Sequence, residues 1–334
     1  MSGFRTKQLG DVVCRETCMA RPLRFIPPNS LVEITTRTMQ GRLLLRPSRE
    51  LTDILLGVIG KAQHLYEMTI HTFVVMSNHA HFLVSPSSAQ KLAAFMQFVN
   101  ANIAKEAARL HDWPERFWSR RYRAICVVDE QAAHARMRYI LAHGAKEGLV
   151  ATAGAWPGPQ CIAALTHGDL LRGTWFDRSA EYRARAAGKD INPGEFATSY
   201  DVKLTPLPCL LDLGHDQRQA HYRRVVGEID AAAAATNKAK GRTPLGVQAI
   251  LDQDPHHRPS SPDRSPAPLV HAHDSEKGAE YLAAYREFVA NFRAGVANLV
   301  AKSRALTELF PDWAFPPALP GRAPFKAAGP QATA

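Results

Sequence analysis

Two histidines stand two residues apart in VVMSNHAHFLVSP (74–86), inside a run that is otherwise apolar. On a strand, His79 and His81 point to the same side, about 7 Å apart along the chain, and leave Ala80, Phe82 and Val84 for the opposite face. Imidazoles so placed can converge on one divalent cation. They can equally be two unrelated histidines on a solvated sheet face. Further along, Tyr139 and His143 are four apart, hence on one helix face and about 6 Å apart along its axis. A helix laid across the sheet would present both to the histidine pair, although Tyr139 also fits an amphipathic core position and His143 a helix C-terminus. Together the four side chains form a set for phosphoryl transfer. Imidazoles hold an ion that polarises a phosphodiester and stabilises the departing 3′ oxygen, while a tyrosyl oxygen attacks phosphorus. The phosphotyrosine retains the bond energy, which suits strand transfer better than hydrolysis.

The elements that would position these residues can be read from the pattern. LVEITTRT (31–38) alternates and is β-branched, a strand with Val32 and Ile34 on one face. Residues 48–67 have helical spacing, with Ser48 as N-cap. Two short apolar segments, 70–76 and 79–85, flank Ser77-Asn78 and predict a hairpin. A second amphipathic helix covers 88–110, and 113–128 is aromatic and basic before becoming a strand. A third helix is expected over 129–150, closed by Gly144 or Gly148. This order predicts an α+β fold, an antiparallel sheet with helices packed on it. Beyond it, 155–176 reads as a short helical appendage, 184–208 as irregular, and 215–240 and 275–306 as helices. The expected organisation is a basic N-terminal arm at 1–27, a catalytic domain at 28–176, and a mainly helical extension at 177–334 with a Pro-rich linker near 255–273.

Lys and Arg outnumber Asp and Glu by 41 to 31 in the 334 residues, which points to a polyanionic partner: DNA, RNA or an anionic membrane. There is no apolar run of membrane-spanning length and no signal-peptide core near the N-terminus. The 5 cysteines are odd in number and scattered, unlike a disulfide framework. Cys14 and Cys18 have the spacing of half a zinc site without a second pair to complete it. A soluble, reduced, cytoplasmic protein is expected.

The segment MSNHAHFLV resembles the His-hydrophobic-His motif of single-tyrosine HUH endonucleases, usually Met-Pro-Asn-His-Val-His-Leu-Leu-Val. The wider set ARPLRF, LVEITTRT, MSNHAHFLV, RFWSRRYRAICV and RYILAHGAKEGLV is similar to REP-associated tyrosine transposases, over roughly residues 20–165. That resemblance implies a ferredoxin-like or RRM-like catalytic domain. It implies Tyr139 as the nucleophile, His79 and His81 as metal ligands, and His143 as a third ligand where the family usually has Asn or Gln. It further implies Mg²⁺ or Mn²⁺ as cofactor, a 5′-phosphotyrosine intermediate, a single-stranded, hairpin-forming DNA with a REP-like palindrome as substrate, and a place on the nucleoid. Two positions depart from the family pattern: Ser77 replaces the usual Pro, and His143-Gly144 replaces Asn-Pro. Tyr122 is the rival nucleophile, but it has no ligand one helical turn away.

RFWSRRYR (116–123) interleaves cations with rings, the mixture that phosphates and splayed bases require. Arg116, Trp118, Arg120, Arg121, Tyr122 and Arg123 are the candidates there, with Arg21 and Arg24 reaching DNA from the N-terminal arm. A basic edge strand anchored by core aromatics fits the same residues. His271-Ala272-His273 repeats the spacing of the first pair but follows a Pro-rich stretch, with no Tyr-x-x-x-ligand helix after it. His256 and His257 read as solvated linker. Two other functions fit the chain: a domesticated, non-cleaving hairpin DNA-binding protein, and an RRM-like RNA-binding protein. The latter calls for aromatic residues at the central strand positions, where His79 and His81 stand.

Overall fold

The structure, a computed structural model, describes residues 22–260, 267–300 and 310–316. The first elements are β1 (Leu31–Arg37), α1 (Arg49–Tyr66), β2 (Thr69–Met76), β3 (His79–Ser85), α2 (Ala89–Leu110) and β4 (Arg123–Val127). Two further helices, α3 (Glu130–Leu141) and α4 (His143–Lys146), complete the part that carries the candidate residues. Next come α5 (Ile162–His167), β5 (Arg172–Phe176), α6 (Arg178–Ala186) and β6 (Ala197–Asp201). The last are α7 (His215–Ala239), α8 (Val247–Leu251), β7 (Val270–His271) and α9 (Ser275–Val300).

The main sheet has the order β2-β3-β1-β4-β7, antiparallel throughout except for β7, which runs parallel to β4. The predicted antiparallel sheet with helices on it, and a mainly helical C-terminal half, is the observed architecture. One sheet face is apolar: Val32, Ile34, Ala80, Phe82 and Val84 are almost completely buried. Phe82 meets Phe73 of β2 and Phe95 of α2 on this side. Ser48 caps α1 as expected, accepting from the Leu51 amide at 3.1 Å, and Ser88 does the same for α2. The hairpin between β2 and β3 turns through Ser77 and Asn78, anchored to the end of β1 by the Thr38 amide on the Asn78 carbonyl.

Several segments differ from the sequence expectation. The third helix breaks at Ala142 and restarts as α4, with Val150 and Trp156 packed over the bare face of Gly144. The appendage at 155–176 holds a strand, β5, and the stretch read as irregular holds its partner, β6. The β5–β6 pair crosses residue 176 and packs against α1, where Gly57 and Gly60 let the backbones approach. Neither strand carries an apolar alternation of its own; close packing on α1, which is non-local, makes them. Edge strand β2 is covered by the chain near Pro159 and Thr205, and on the other side the two-residue β7 pairs with β4 and forms the second edge. Arg21, Cys14 and Cys18, most of the basic arm, linker residues 261–266, the end of the helix predicted to reach 306, and the Pro/Ala-rich tail lie outside the described residues.

Candidate active site

His79 and His81 leave β3 on the face opposite the apolar one. The register pairs His81 with Thr35 and His79 with Arg37, so Glu33, Thr35 and Arg37 of β1 line the same face. Helix α3 and the turn that follows bring Tyr139 and His143 over it. Ring centroids lie 4.7 Å apart for His79–His143, 4.8 Å for His81–His143 and 5.1 Å for His79–His81. The Tyr139 ring is 5.5 Å from His81 and 5.2 Å from His143. One ligand atom from each histidine falls within 4.8 Å of the others. The four residues singled out by spacing therefore share one pocket of the fold.

Each strand histidine has a partner on its Nδ1. Asn78 Oδ1 lies 2.6 Å from His79 Nδ1, and Glu33 Oε1 and Thr35 Oγ1 each lie 3.2 Å from His81 Nδ1. An Nδ1 proton donated to these oxygens leaves each Nε2 as a lone pair, the usual way a protein presents imidazole to a metal. His143 Nε2 stands 2.8 Å from His79 Nε2, and His143 Nδ1 is buried without a partner. Two ring nitrogens bound at right angles to one ion would be ~3 Å apart with metal–nitrogen bonds of ~2.1 Å. The donor set and its spacing thus fit a divalent cation. Three imidazoles suit Mn²⁺ better than Mg²⁺, which prefers oxygen. Burial, aided by His81 and Lys146, holds the His143 pKa down at about 3; burial and the neighbouring cations push His79 well below its usual value. Both rings are neutral at neutral pH, as ligands must be.

Behind the imidazoles sits Glu33, 4 % exposed. Its Oε2 lies 2.9 Å from Arg136 Nε and 2.8 Å from His271 Nε2. Burial alone would raise its pKa, but the close approach of His271 and His81 and the charge of Arg136 hold it well below the usual carboxylate range. Tyr139 is only half-buried. Arg136 and Lys146 bracket its ring, with their charges 4.2 Å and 4.3 Å from the centroid. Sequence reasoning missed Glu33, Asn78, Arg136, Lys146 and His271. Asn78 adjoins the His-x-His motif and could have been read from it. The others reach the pocket through strand register and helix docking, which leave no local signal. His271, read as a decoy in a linker, belongs to β7 and enters the site by way of Glu33. His256 is exposed, as read from the sequence, although its Nε2 lies 2.6 Å from the His111 carbonyl and its ring 5.5 Å from that of Trp113.

The remaining candidates separate into two places. Arg24, Arg116, Trp118, Arg120, Arg121 and Tyr122 line a groove of about 520 Å³ between α2 and the 116–122 segment. Arg123 is in register with Thr35, on the face of the sheet that carries His79 and His81. Arg116, Arg120, Arg121 and Arg123 are exposed, whereas Trp118 is half-buried and donates its indole N–H to the Asn100 carbonyl. The Arg24 guanidinium stacks 3.7 Å above the Tyr122 ring and donates to the Tyr122 carbonyl. Burial raises the Tyr122 phenol pKa, and its hydroxyl is enclosed without a partner. No candidate metal ligand adjoins it among the described residues.

Residues 45–143 match the family described as transposase, IS200 like. No curated protein matches the chain. Among solved structures, a REP-associated tyrosine transposase bound to a REP hairpin shares 14 % identity, over 57 % of this chain and 96 % of that one, with a TM-score of 0.35. A protein assigned as a transposase from Deinococcus radiodurans R1 shares 15 % identity, over 36 % of this chain and 95 % of that one, with a TM-score of 0.27. The family match covers residues 45–143, the segment that holds His79, His81, Tyr139 and His143.

Proposed function

We propose, starting from the IS200-like transposase segment at residues 45–143, that the chain nicks and rejoins single-stranded DNA at a hairpin through Tyr139. The observation that carries this reading is the approach of the Tyr139 ring to His81 and His143 at 5.5 Å and 5.2 Å, over a triad of imidazoles. His79, His81 and His143 would hold a divalent ion, Mg²⁺ or Mn²⁺. When bound, that ion supplies Lewis-acid polarisation of the scissile phosphate and charge stabilisation for the departing 3′ oxygen. Tyr139 Oη loses its proton to solvent and forms the bond to phosphorus as the bond from phosphorus to the 3′ oxygen breaks. The released 3′ end takes up a proton, and a 5′-phosphotyrosine remains. Attack by a second 3′ hydroxyl reverses these steps, returning the tyrosine and joining the new strand.

Arg136 and Lys146 flank the ring where phosphate oxygens of a bound strand would come to rest. The groove between α2 and residues 116–122 offers guanidinium groups beside ring faces for the backbone and unpaired bases of the flanking strand. Arg123 lies on the metal face and Arg21 precedes the described residues; both are assigned to the DNA on charge. A REP-like palindrome is the substrate we assign.

The test incubates the full chain with Mn²⁺ or Mg²⁺ and a panel of labelled single-stranded hairpins, and looks for a covalent adduct on a denaturing gel. An adduct is expected from the parent chain and from Tyr122→Phe, and none from Tyr139→Phe. An adduct that persists in Tyr139→Phe would remove the nucleophile assignment. Tight hairpin binding without an adduct, with either metal and across the whole panel, would make the chain a non-cleaving binder.

A further inference from the structure

A second group of metal-ligating side chains lies outside the tyrosine pocket, at the other end of α3. Glu130 and His134 are one helical turn apart on α3, and Cys209 faces them from the short 3₁₀ turn Pro208–Leu210. Cys209 Sγ is 3.4 Å from His134 Nε2, and Glu130 Oε1 is 3.9 Å from the same nitrogen. The three ligand atoms all fall within 4.8 Å of one another. Tetrahedral zinc, with Zn–S ~2.3 Å and Zn–N or Zn–O ~2.1 Å, would place sulfur and nitrogen ~3.6 Å apart and nitrogen and oxygen ~3.4 Å apart. The observed separations need only small adjustments to reach these values.

A further donor stands beside the group. The His221 ring of α7 is 5.5 Å from the His134 ring, and its Nε2 is buried with no hydrogen-bond partner. Arg224 Nη2 approaches His221 Nδ1 at 3.1 Å on the exposed side; a proton on Nδ1 replaces that contact when Nε2 binds metal. The frame around the donors is firm, since Leu207, Leu210 and Tyr222 are buried and flank Cys209 and His221 in sequence. Thiolate and imidazole together select zinc over Mg²⁺ or Mn²⁺.

We propose that Cys209, His134 and Glu130, completed by His221, form a zinc site that staples helix α7 to the helix carrying Tyr139. The site stands independently of the DNA-cleavage reading. On binding, the Cys209 thiol gives up its proton to solvent and the thiolate donates to the metal, so uptake releases one proton. An ordinary alternative is a Cys–His hydrogen bond beside an exposed ion pair, and the test separates the two.

The parent for this test is the full chain carrying Cys14→Ser, Cys18→Ser and His81→Ala, so that the other candidate ligands do not compete. Stripped of metal, it is titrated with Co²⁺ and followed by its absorption. A thiolate-to-cobalt charge-transfer band is expected in this parent, and is expected to vanish when Cys209→Ser is added. Zn²⁺ should displace the Co²⁺ and raise the thermal unfolding midpoint of the parent but not of Cys209→Ser. Glu130→Gln, an exposed change that keeps the side chain's size, should weaken Zn²⁺ binding roughly tenfold, and His221→Ala should do the same. No charge-transfer band in the parent, or one that survives Cys209→Ser, overturns the site. Unchanged Zn²⁺ affinity in His221→Ala removes His221 from it.

Discussion

His79 and His143 meet nitrogen to nitrogen, Nε2 to Nε2, at 2.8 Å, one on a strand and the other on a helical turn 64 residues away. Asn78 holds the Nδ1 side of His79, so the Nε2 lone pair has only His143 or a cation to face. Replacing His143 by Ala should weaken Mn²⁺ binding at least tenfold or so, as judged from the roughly 10- to 100-fold cost of losing even an outer ligand partner. His143→Asn retains an oxygen donor and should fall between the two. Calorimetric titration of the full chain reads both, and equal Mn²⁺ affinity in His143→Ala would exclude His143 as a ligand.

Lys146 caps the Tyr139 ring from the turn after α3, 4.3 Å from its centroid, and is half exposed. Its charge has no buried carboxylate to hold, unlike that of Arg136. Lys146→Ala should therefore slow single-turnover cleavage by roughly 10²-fold, the scale for removing one group that stabilises transition-state charge. Hairpin affinity should change much less. A cleavage rate equal to that of the parent would show that the lysine does not act on the reacting phosphate.

Glu33 is a buried carboxylate with three partners, and taking it away strands two of them. In Glu33→Ala, the Arg136 guanidinium is left without its carboxylate and the His271 ring loses a partner. Breaking a buried pair from one side costs about 3–5 kcal/mol. Urea unfolding should show a loss of that order, with a smaller loss in Glu33→Gln, whose amide oxygen still accepts. A midpoint unchanged in Glu33→Ala would mean that solvent, not Glu33, neutralises Arg136.

The legibility of the site followed its distance in sequence. His79 and His81 could be read because a strand fixes two-residue spacing to one face, and Tyr139 with His143 because a helix does so at four. Hairpin β2–β3 was equally plain, since its turn residues sit between two apolar runs. Glu33 could not be found this way: in LVEITTR it is the polar member of an alternating strand, indistinguishable from a solvent-facing residue. Only the docking of α3 and β7 over that face turns it inward. His271 was obscure for the same reason, as a two-residue strand makes no pattern. Strands β5 and β6 were hidden because Gly57 and Gly60, unremarkable in a helix sequence, are what admit them.

Gly57 offers a direct check of that packing. A Cβ on Gly57 would lie 2.1 Å from the Thr174 carbonyl carbon of β5, backbone against backbone. In an isolated helix Gly→Ala gains about 1 kcal/mol. Here the sign should reverse, with Gly57→Ala destabilising the chain by about 2 kcal/mol or more as helix and strand are forced apart. Thermal or urea unfolding distinguishes the cases, and a stabilised Gly57→Ala would mean that β5 does not rest on α1.

His71 gives the chain a pH dependence separate from the metal pocket. Its ring is buried; Nδ1 lies 2.9 Å and 3.0 Å from the Thr205 and Pro206 carbonyls, and Nε2 lies 2.9 Å from Ser85 Oγ. The neutral tautomer satisfies all three contacts, with Nδ1–H donating and the serine hydroxyl donating to Nε2. Burial lowers its pKa, more than the two carbonyls raise it. A depressed folded-state pKa means that protons bind the unfolded chain first. The contribution of His71 is therefore complete above the unfolded value of about 6.5 and is lost as pH falls toward the folded value. The slope for one such group is at most ~1.4 kcal/mol per pH unit. Urea midpoints from pH 8 down to pH 5 should converge for the parent and His71→Gln, a difference in which the other histidines cancel. A gap that stays constant or widens in acid would show that the charged form of His71 is tolerated in the fold.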